Sequence, residues 1–361
     1  MKKFNYRKRQ VLINHANKEF KLRVRFKKMK TKKNRLLQGC NFEQKKLHRL
    51  NDHFKDYKKI KAPEVFSLIE NTEQTLGFIK SLESALDGRK KVFVNLKDVK
   101  SIAHGAIVVL LSIMTKFKSS GVDFNGNFPD SLEVKKILLD SGFFNELYKN
   151  NVVLNSKYAV RKKQIFTHAN KIVDSKLADE IISEISTMIW GEKRRCKGLQ
   201  RIFIELMQNT NNHASLINKG EHYWWTTVRY DKQQNKAYFS FIDYGVGIIQ
   251  SLNNDKNGKF YNILPKIKSI FAPESNAELL MLLLKGEIHN QKKTSTNQYY
   301  RGKGLPCLFK ACEDNKISNV VVITNDAKAE YANKQCYKLK NSFSGTFLHW
   351  ELNINNQNIK Y

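Results

Sequence analysis

The chain of 361 residues is poor in proline, in paired cysteine and in long apolar runs. With only five prolines there is no Pro-rich linker, so we expect domains that abut through short connections. The five cysteines are odd in number and lack CxxC spacing, which argues against that kind of zinc or redox site and predicts free thiols in a reducing compartment. The longest apolar run, residues 106–114, is too short to span a bilayer. The basic start has no apolar signal-peptide core. These absences predict a cytoplasmic protein without a membrane segment.

Acidic residues are also scarce, with 33 Asp and Glu against 64 Lys and Arg and a formal net charge of +31. Residues 1–61 alone hold 22 Lys or Arg against 4 Asp or Glu. Such a field attracts polyanions, and each neutralised phosphate releases counterions. We therefore expect nucleic acid as a partner of this basic N-terminal segment, although simple solvation explains the charge elsewhere equally well. Within it, the alternation of Leu22–Phe26 predicts a short strand.

Residues 62–155 have the rhythm of a small α/β unit. Apolar patterning predicts strands at Val92–Leu96 and Val122–Gly126, and helices at Ala106–Phe117 and Ser131–Ser141. Strand and helix alternate at the spacing of a βαβ arrangement.

This order resembles a STAS-like domain, a module that pairs with ATPases or kinases in regulatory switches and carries a Ser or Thr phosphate acceptor at a helix start. Here the matching stretch reads Ile102-Ala-His-Gly-Ala106, without a hydroxyl at the acceptor position. We therefore expect a docking or structural module and not a phospho-acceptor, and a docking module would have a partner protein. We expect Ser101 to be a cap or turn residue and His104 a surface or capping histidine.

Residues 156–361 mix helices with strands. Helices are predicted at Lys171–Ile189, Gly198–Ala214, Ala277–Lys285 and Leu305–Asp314, and strands at His222–Tyr230, Lys236–Asp243, Asn319–Thr324 and Gly345–Leu352. This order predicts an α/β sandwich, a mixed sheet covered by helices on one face.

The helix ending at Ala214 carries polar side chains that can serve a metal-bound phosphate. At 100° per residue its apolar side gathers Leu199, Phe203, Leu206 and Thr210. Glu205, Asn209 and Asn212 gather on another side. An Asn carbonyl oxygen suits Mg²⁺, and a Glu can accept a proton from water. A merely wetted face of an amphipathic helix is the alternative reading.

The segment Phe241-Ile-Asp-Tyr-Gly-Val-Gly247 delivers one carboxylate at the end of an apolar strand. Asp243 there can accept a hydrogen bond from an exocyclic amine such as that of adenine. Gly245 and Gly247 allow the backbone to turn tightly behind it. A strand ending in an ordinary turn is the alternative.

Two further segments complete the pattern. Tyr300-Arg-Gly-Lys-Gly-Leu-Pro306 opens a helix with glycines, which expose backbone N–H groups to an anion. The last strand begins with Gly-Thr in Ser344–Trp350. Neither segment is specific by itself.

In this order, over Leu199–Leu352, the four segments resemble the GHKL ATPase superfamily of gyrase-type topoisomerases, heat-shock chaperones, histidine kinases and mismatch-repair ATPases. The resemblance implies a Bergerat-type domain over residues 156–361 that binds ATP and Mg²⁺. At the phosphate end it implies Glu205 as the base that orients water and Asn209 as the Mg²⁺ ligand, with Arg301, Gly302, Lys303, Gly304 and Leu305 at the triphosphate. At the base it implies that Asp243 binds the adenine amine, assisted by Thr346 through water, and that Gly245 and Gly247 shape the pocket. Residues 250–300 would form the lid. Asn212 stands where many members have Asp.

Two functions follow as hypotheses. In the first, an ATPase switch closes its lid and rearranges the chain or a homodimer, while the basic segment engages nucleic acid or a partner. In the second, the protein is a serine/threonine kinase of the partner-switching type that acts on a separate STAS protein. A nucleotide-gated docking protein with little turnover is a third option. A sensor histidine kinase is disfavoured, because no histidine lies in a phospho-acceptor sequence.

Overall fold

The computed structural model describes residues 11, 14–15, 17–28, 54–144, 158–162, 165–170, 172–214, 224–254, 273–286, 304–357 and 359–360. The chain divides into two compact units, Met1–Asp56 and Tyr57–Tyr361. The boundary that we predict at residues 155/156 therefore lies inside the second unit.

In the first unit residues 17–28 are helical, so the strand predicted at Leu22–Phe26 is wrong. Five alternating residues are too few to decide between the two periods. Arg23 lies 3.5 Å from Glu19 one helical turn earlier, and pairs at this spacing favour a helix.

The second unit is a mixed α/β structure. Its described helices are α1 (Thr72–Asp87), α2 (His104–Ser119), α3 (Leu132–Asp140), α4 (Ser175–Trp190), α5 (Lys197–Ala214), α6 (Ile248–Asn254), α7 (Asn276–Lys285) and α8 (Gly304–Glu313). Its described strands are β1 (Lys58–Lys61), β2 (Val65–Phe66), β3 (Val92–Asn95), β4 (Ser101–Ile102), β5 (Phe124–Gly126), β6 (Tyr158–Lys162), β7 (Ile165–Asn170), β8 (Arg194–Arg195), β9 (Trp224–Asp231), β10 (Lys236–Asp243), β11 (Ser318–Glu330), β12 (Gln335–Asn353) and β13 (Ile359–Lys360). None of these helices combines the length and the apolar character that crossing a membrane requires.

The main sheet has six strands in the order β11-β12-β10-β9-β7-β6, and each neighbouring pair is antiparallel. We predicted a mixed sheet for residues 156–361. For the described strands this prediction is wrong, because every neighbouring pair is antiparallel. Parallel pairing occurs in the N-terminal part of this unit, in the sheet β1-β3-β5 and between β2 and β4. Antiparallel strands need only hairpin turns, and short loops join β9 to β10 and β11 to β12.

One face of the main sheet packs against α4, α5, α7 and α8 through a large apolar cluster. Phe203 of α5 meets the ring of Trp350 at 5.4 Å, edge to face, and Trp350 stacks on Phe239 at the same distance. Burial of these rings removes several hundred square ångströms of apolar surface from water, at roughly 150–250 Å² per aromatic side chain. This layer holds α5 against the centre of the sheet.

The opposite face of the sheet is also covered, which corrects the expectation of helices on one face only. Helix α1 packs on β12, and α2 packs on β9 and β10. The reason lies in the strands, which present apolar residues to both sides. Trp225, Ile242, Val321, Ile323 and Phe347 join the core of residues 57–144. A sheet with two apolar faces must be covered twice.

Candidate functional site

Asp243 is the last residue of β10, after the buried Phe241 and Ile242. Its Oδ1 accepts a hydrogen bond from the backbone N–H of Gly245 at 2.6 Å. Its Oδ2 has no hydrogen-bond partner among the described residues. Burial raises the pKa of this carboxyl to about 6, while the N–H of Gly245 and the charge of Lys116 act in the opposite direction. The carboxylate is partly buried, and its second oxygen can still accept a hydrogen bond.

Thr346 lies directly opposite Asp243 in the pairing of β10 with β12. By the alternation of the two strands both side chains belong to the row that holds Phe241 and Leu348, on the face that carries α5. The structure therefore brings together two predicted residues that are 103 positions apart in the printed numbering.

Gly345 explains how the two strands approach so closely at this point. Its φ is +119°, and a Cβ at this position would lie 1.9 Å from the backbone oxygen of Asp243. No side chain fits there without moving one of the strands. Gly345 was not among the predicted site residues, although it belongs to the Gly-Thr pair that begins the predicted last strand.

The turn after Asp243 is held by β11. Thr324 Oγ1 accepts from the N–H of Ile248 at 2.9 Å, and Asn325 Oδ1 accepts from the N–H of Ile249 at 3.1 Å. Asn325 Nδ2 donates to the oxygen of Val246 at 2.9 Å. Gly247 has a φ of +81°, and a Cβ there would lie 2.6 Å from Asn325 Oδ1. Gly247 therefore has the conformational role predicted for it. Thr324 and Asn325 are supporting residues that no sequence pattern indicated.

Tyr244, between Asp243 and Gly245, packs on the opposite face of the sheet. Its hydroxyl is hydrogen-bonded to Ser112 of α2 and lies 3.4 Å from the oxygen of Val109. The Nζ of Lys116 lies 4.0 Å from the centre of its ring. The turn that follows Asp243 is thus attached to α2.

Helix α5 has the orientation that its periodicity predicts. Its predicted apolar side is buried, with Leu199, Phe203, Leu206 and Thr210 all in the interior. Glu205 and Asn209 are partly buried. Glu205 Oε1 lies 3.7 Å from Nε of Arg201, one turn earlier. Exposed pairs of this type are worth roughly 0.3–0.5 kcal/mol, so this contact is easily exchanged for another. The side chain of Asn212 lies outside the described residues.

The glycine-rich segment is described only in part. Arg301, Gly302, Lys303 and most of the predicted lid, residues 255–272 and 287–300, lie outside the described residues. Gly304 and Leu305 begin α8, whose backbone packs against α5. Helices α5 and α8 and the side chain of Asp243 share one face of the main sheet.

Within the described ranges, no three His, Cys, Asp or Glu side chains cluster as a metal-binding group. No family model matches this chain, and neither a curated protein nor a solved structure matches it. The residues that bear on function are therefore those around Asp243 and those on the polar side of helix α5.

Proposed function

We propose that the C-terminal half of this chain binds an adenine nucleotide with Mg²⁺ and hydrolyses it, and that the bound nucleotide acts as a conformational switch. The observation that carries the proposal is the carboxylate of Asp243, which is partly buried at a strand end. One of its oxygens accepts from Gly245, and the other has no hydrogen-bond partner in the part of the chain that the structure describes. A planar base with an exocyclic amine supplies the missing donor.

The neighbourhood of Asp243 fits such a base. Its pKa of about 6 leaves the group mostly ionised at neutral pH, so both oxygens act as acceptors. Thr346 stands beside it with a hydroxyl that can donate or accept, in keeping with the water-mediated role assigned to it. A Cβ at Gly245 would lie 3.1 Å from Asp243 Oδ1, so glycine at this position keeps a side chain away from the carboxylate.

Helix α5 supplies the groups for the phosphate end. Asn209 would offer its side-chain oxygen to Mg²⁺, which prefers hard oxygen ligands and retains several waters. The chemistry that the ion would supply when bound is neutralisation of the triphosphate charge and polarisation of the phosphoryl oxygen. Glu205 would leave its weak contact with Arg201 and accept a proton from the attacking water. The backbone N–H groups at the start of α8, with Lys303 and Arg301, would bind the phosphate oxygens.

The switch part of the proposal is supported by Tyr244. A change in the turn that carries Asp243 and Gly245 would act directly on α2, because the hydroxyl of Tyr244 is bonded to Ser112. Such a turn offers a physical route from a nucleotide to residues 57–144.

Nucleic acid as the partner of the basic segment belongs to the same proposal. It is supported by the exposed Lys and Arg side chains of residues 17–28 and by the exposed rings of Phe20 and Phe26.

The test is a hydrolysis assay with labelled ATP and Mg²⁺, with and without DNA or RNA. Glu205→Ala should abolish phosphate release and keep nucleotide binding, because the base is lost and the pocket is not. Gln208→Ala, an exposed change on the same helix, is the matched control and should leave both unchanged. A labelled protein band in place of free phosphate would support the kinase hypothesis. Binding without release of phosphate would support the docking protein, and no binding at all would refute the proposal.

A further inference from the structure

A groove lies beside strand β1, between that strand and helix α1. Its volume is about 520 Å³, which is within the ordinary range for ligand sites. Strand β1 and the segment that follows it, residues 58–64, form one wall. The other wall is a single stripe along α1, made of Gln74, Gly77, Phe78 and Ser81. None of these residues belongs to the proposed nucleotide site.

Strand β1 is an edge of the sheet β1-β3-β5, because it pairs with β3 alone among the described strands. The N–H groups of Lys58 and Ala62 donate to the β3 side, at 2.8 and 3.0 Å. In a parallel pair, successive residues turn their backbone groups alternately to the two sides of the strand. The N–H and C=O groups of Lys59 and Lys61 therefore point away from β3, and within the described ranges no residue bonds to them. Such an edge is a template for another strand.

The floor of the groove is apolar. Ile60 and Phe78 line it with the small exposed parts of otherwise buried side chains. Phe78 is held in place by Phe66, which meets it edge to face with the ring centroids 5.3 Å apart. A strand added beside β1 would place alternate side chains over this floor. Burial of apolar side chains there would favour binding.

Gly77 also lines the groove, and it stands in the middle of α1. Glycine destabilises the interior of a helix relative to alanine. Packing among the described residues does not require it, because an added Cβ would have one neighbour within 4 Å, Asn341 Nδ2 at the ordinary contact distance of 3.6 Å. The close approach of a ligand to the helix backbone would explain a glycine at this position.

The rim of the groove carries positive charge that its own acids do not offset. Lys61 is paired with Asp98 at 2.9 Å. Glu64, the acid of the lining, is paired at 2.6 Å with a lysine outside the groove. Lys58 and Lys59 are exposed, and neither has an ion pair with an acid in the part of the chain that the structure describes. The charge of this rim therefore fits an acidic partner.

We propose that the groove binds an extended acidic segment of another protein, which adds to β1 as a fourth strand of the small sheet. The backbone of this segment would bond to the free N–H and C=O groups of Lys59 and Lys61. Acidic side chains at every second position would meet the side chain of Lys59 on the open face of the sheet. The small apolar side chains between them would cover Ile60, Gly77 and Phe78.

The partner is another protein because this chain has no segment of the required kind. No two Asp or Glu residues of the printed sequence stand two positions apart, so none of its segments presents alternate acids on one face of a strand. A second copy meets the same objection. Two paired β1 edges would also bring their lysines together, where like charges repel. An acidic segment is, by contrast, attracted by a chain with a net charge of +31.

The test is the binding of a short fluorescent peptide, in which Glu alternates with Val, to the full chain at physiological ionic strength. A peptide of the same composition with Glu and Val in separate blocks controls for the general attraction of acids to a basic protein. We expect the alternating peptide to bind roughly tenfold more tightly, because only it presents one acidic and one apolar face as a strand. On saturation, hydrogen exchange of the Lys59 and Lys61 amides should slow by about tenfold or more. Exchange at Ile60, whose N–H faces β3, should change little.

Two substitutions at one position separate charge from backbone pairing. Lys59→Gln removes the charge alone and should weaken binding roughly threefold, as for an exposed ion pair. Lys59→Pro also removes an edge N–H that β3 does not use, a position where proline is tolerated, and should weaken binding about tenfold more. Lys90→Gln, at an exposed lysine outside the groove, is the matched control and should leave the affinity unchanged.

Several results would overturn the proposal. Equal affinity for the two peptides, or equal affinity of Lys59→Gln and Lys59→Pro, would mean that charge alone attracts the peptide. Self-association of the chain that Lys59→Pro abolishes would assign the edge to a second copy. No binding of either peptide would show that the lysines only protect the edge from other strands.

Two further measurements keep the test decisive. If Lys59→Pro does not fold, the exchange of the Lys59 and Lys61 amides in the wild-type protein decides the question, and unchanged exchange on saturation would refute strand addition. Asp243→Asn should leave peptide binding unchanged, because the groove does not depend on the ATP proposal.

Discussion

Asp243→Asn should make the ligand-free protein more stable at pH 8 while removing its response to ATP. The carboxyl has its pKa raised from 3.8 to about 6, mainly by burial. Between these two values the folded chain binds more protons than the unfolded chain, so the free energy of unfolding falls as the pH rises through this window. Above pH 6 the full cost of the buried charge is present.

The size of the effect follows from the shift. At 1.36 kcal/mol for each pKa unit, the buried charge costs up to about 3 kcal/mol at pH 8, and roughly half of that at pH 5. Asn is neutral and nearly isosteric, and its Oδ1 can still accept from the N–H of Gly245. The variant should therefore gain most of this free energy at pH 8 and less at pH 5.

The assay is urea unfolding of wild type and variant at both pH values, with and without Mg-ATP. In wild type, ATP at a hundred times its dissociation constant should add about 2.7 kcal/mol to the free energy of unfolding. In the Asp243→Asn variant ATP should add nothing to the free energy of unfolding, because the acceptor for the amine is lost. Asp314→Asn, at an exposed acid paired with Lys316, is the matched control and should change neither quantity.

Two results would refute this reasoning separately. If Asp243→Asn is no more stable than wild type at pH 8, burial of the ionised Asp243 carboxylate does not lower the free energy of unfolding. If the variant keeps the full stabilisation by ATP, Asp243 is not the residue that binds the base.

Three further predictions concern the contacts around this site. Gly345→Ala should lower the free energy of unfolding by more than about 2 kcal/mol in urea unfolding, because its Cβ would fall 1.9 Å from the oxygen of Asp243 at a φ of +119°; a loss below about 0.5 kcal/mol would contradict it. Tyr244→Phe removes the bond to Ser112 and should cost about 1 kcal/mol in the same assay, and hydrogen exchange of α2 should then no longer respond to ATP; an unchanged response would exclude this route. Lys328→Met should lower the free energy of unfolding by about 3 kcal/mol, because it removes the counter-charge of the largely buried Glu330 carboxylate and two hydrogen bonds to residues 69 and 72. A thermal midpoint equal to that of wild type would show that the ion pair contributes nothing.

The central elements of the fold could be predicted from periodicity. The strand at Lys236–Asp243 has the bounds that the sequence predicts, and α5 and α7 differ from their predictions by one residue at the start. These segments are strongly apolar on a regular period, which makes the pattern easy to detect. By contrast, β6 and β7 were not predicted, because they are short and carry charged and polar residues. The strands predicted for the long hairpin of β11 and β12 are too short. The outer parts of these strands are rich in polar residues, and their pattern in the sequence does not differ from that of a loop.

The order of the four segments predicts Asp243, Thr346, Glu205 and Asn209 as candidate site residues. Sequence spacing did not reveal the supporting residues. Asn325 lies far from the turn that it holds, and only the pairing of β11 with β12 brings it there. The need for glycine at residue 345 arises from a backbone that is more than one hundred positions away.

The sequence by itself therefore determined the type of each strong element, the uneven positive charge and the identity of the strand-end carboxylate, because these depend on neighbours within a few residues. The tertiary structure alone decided that residues 57–144 cover the second face of the sheet and that Tyr244 joins the turn after Asp243 to α2. These features depend on which of many apolar surfaces pack together. That choice is made by the complementarity of whole surfaces, which no local pattern contains.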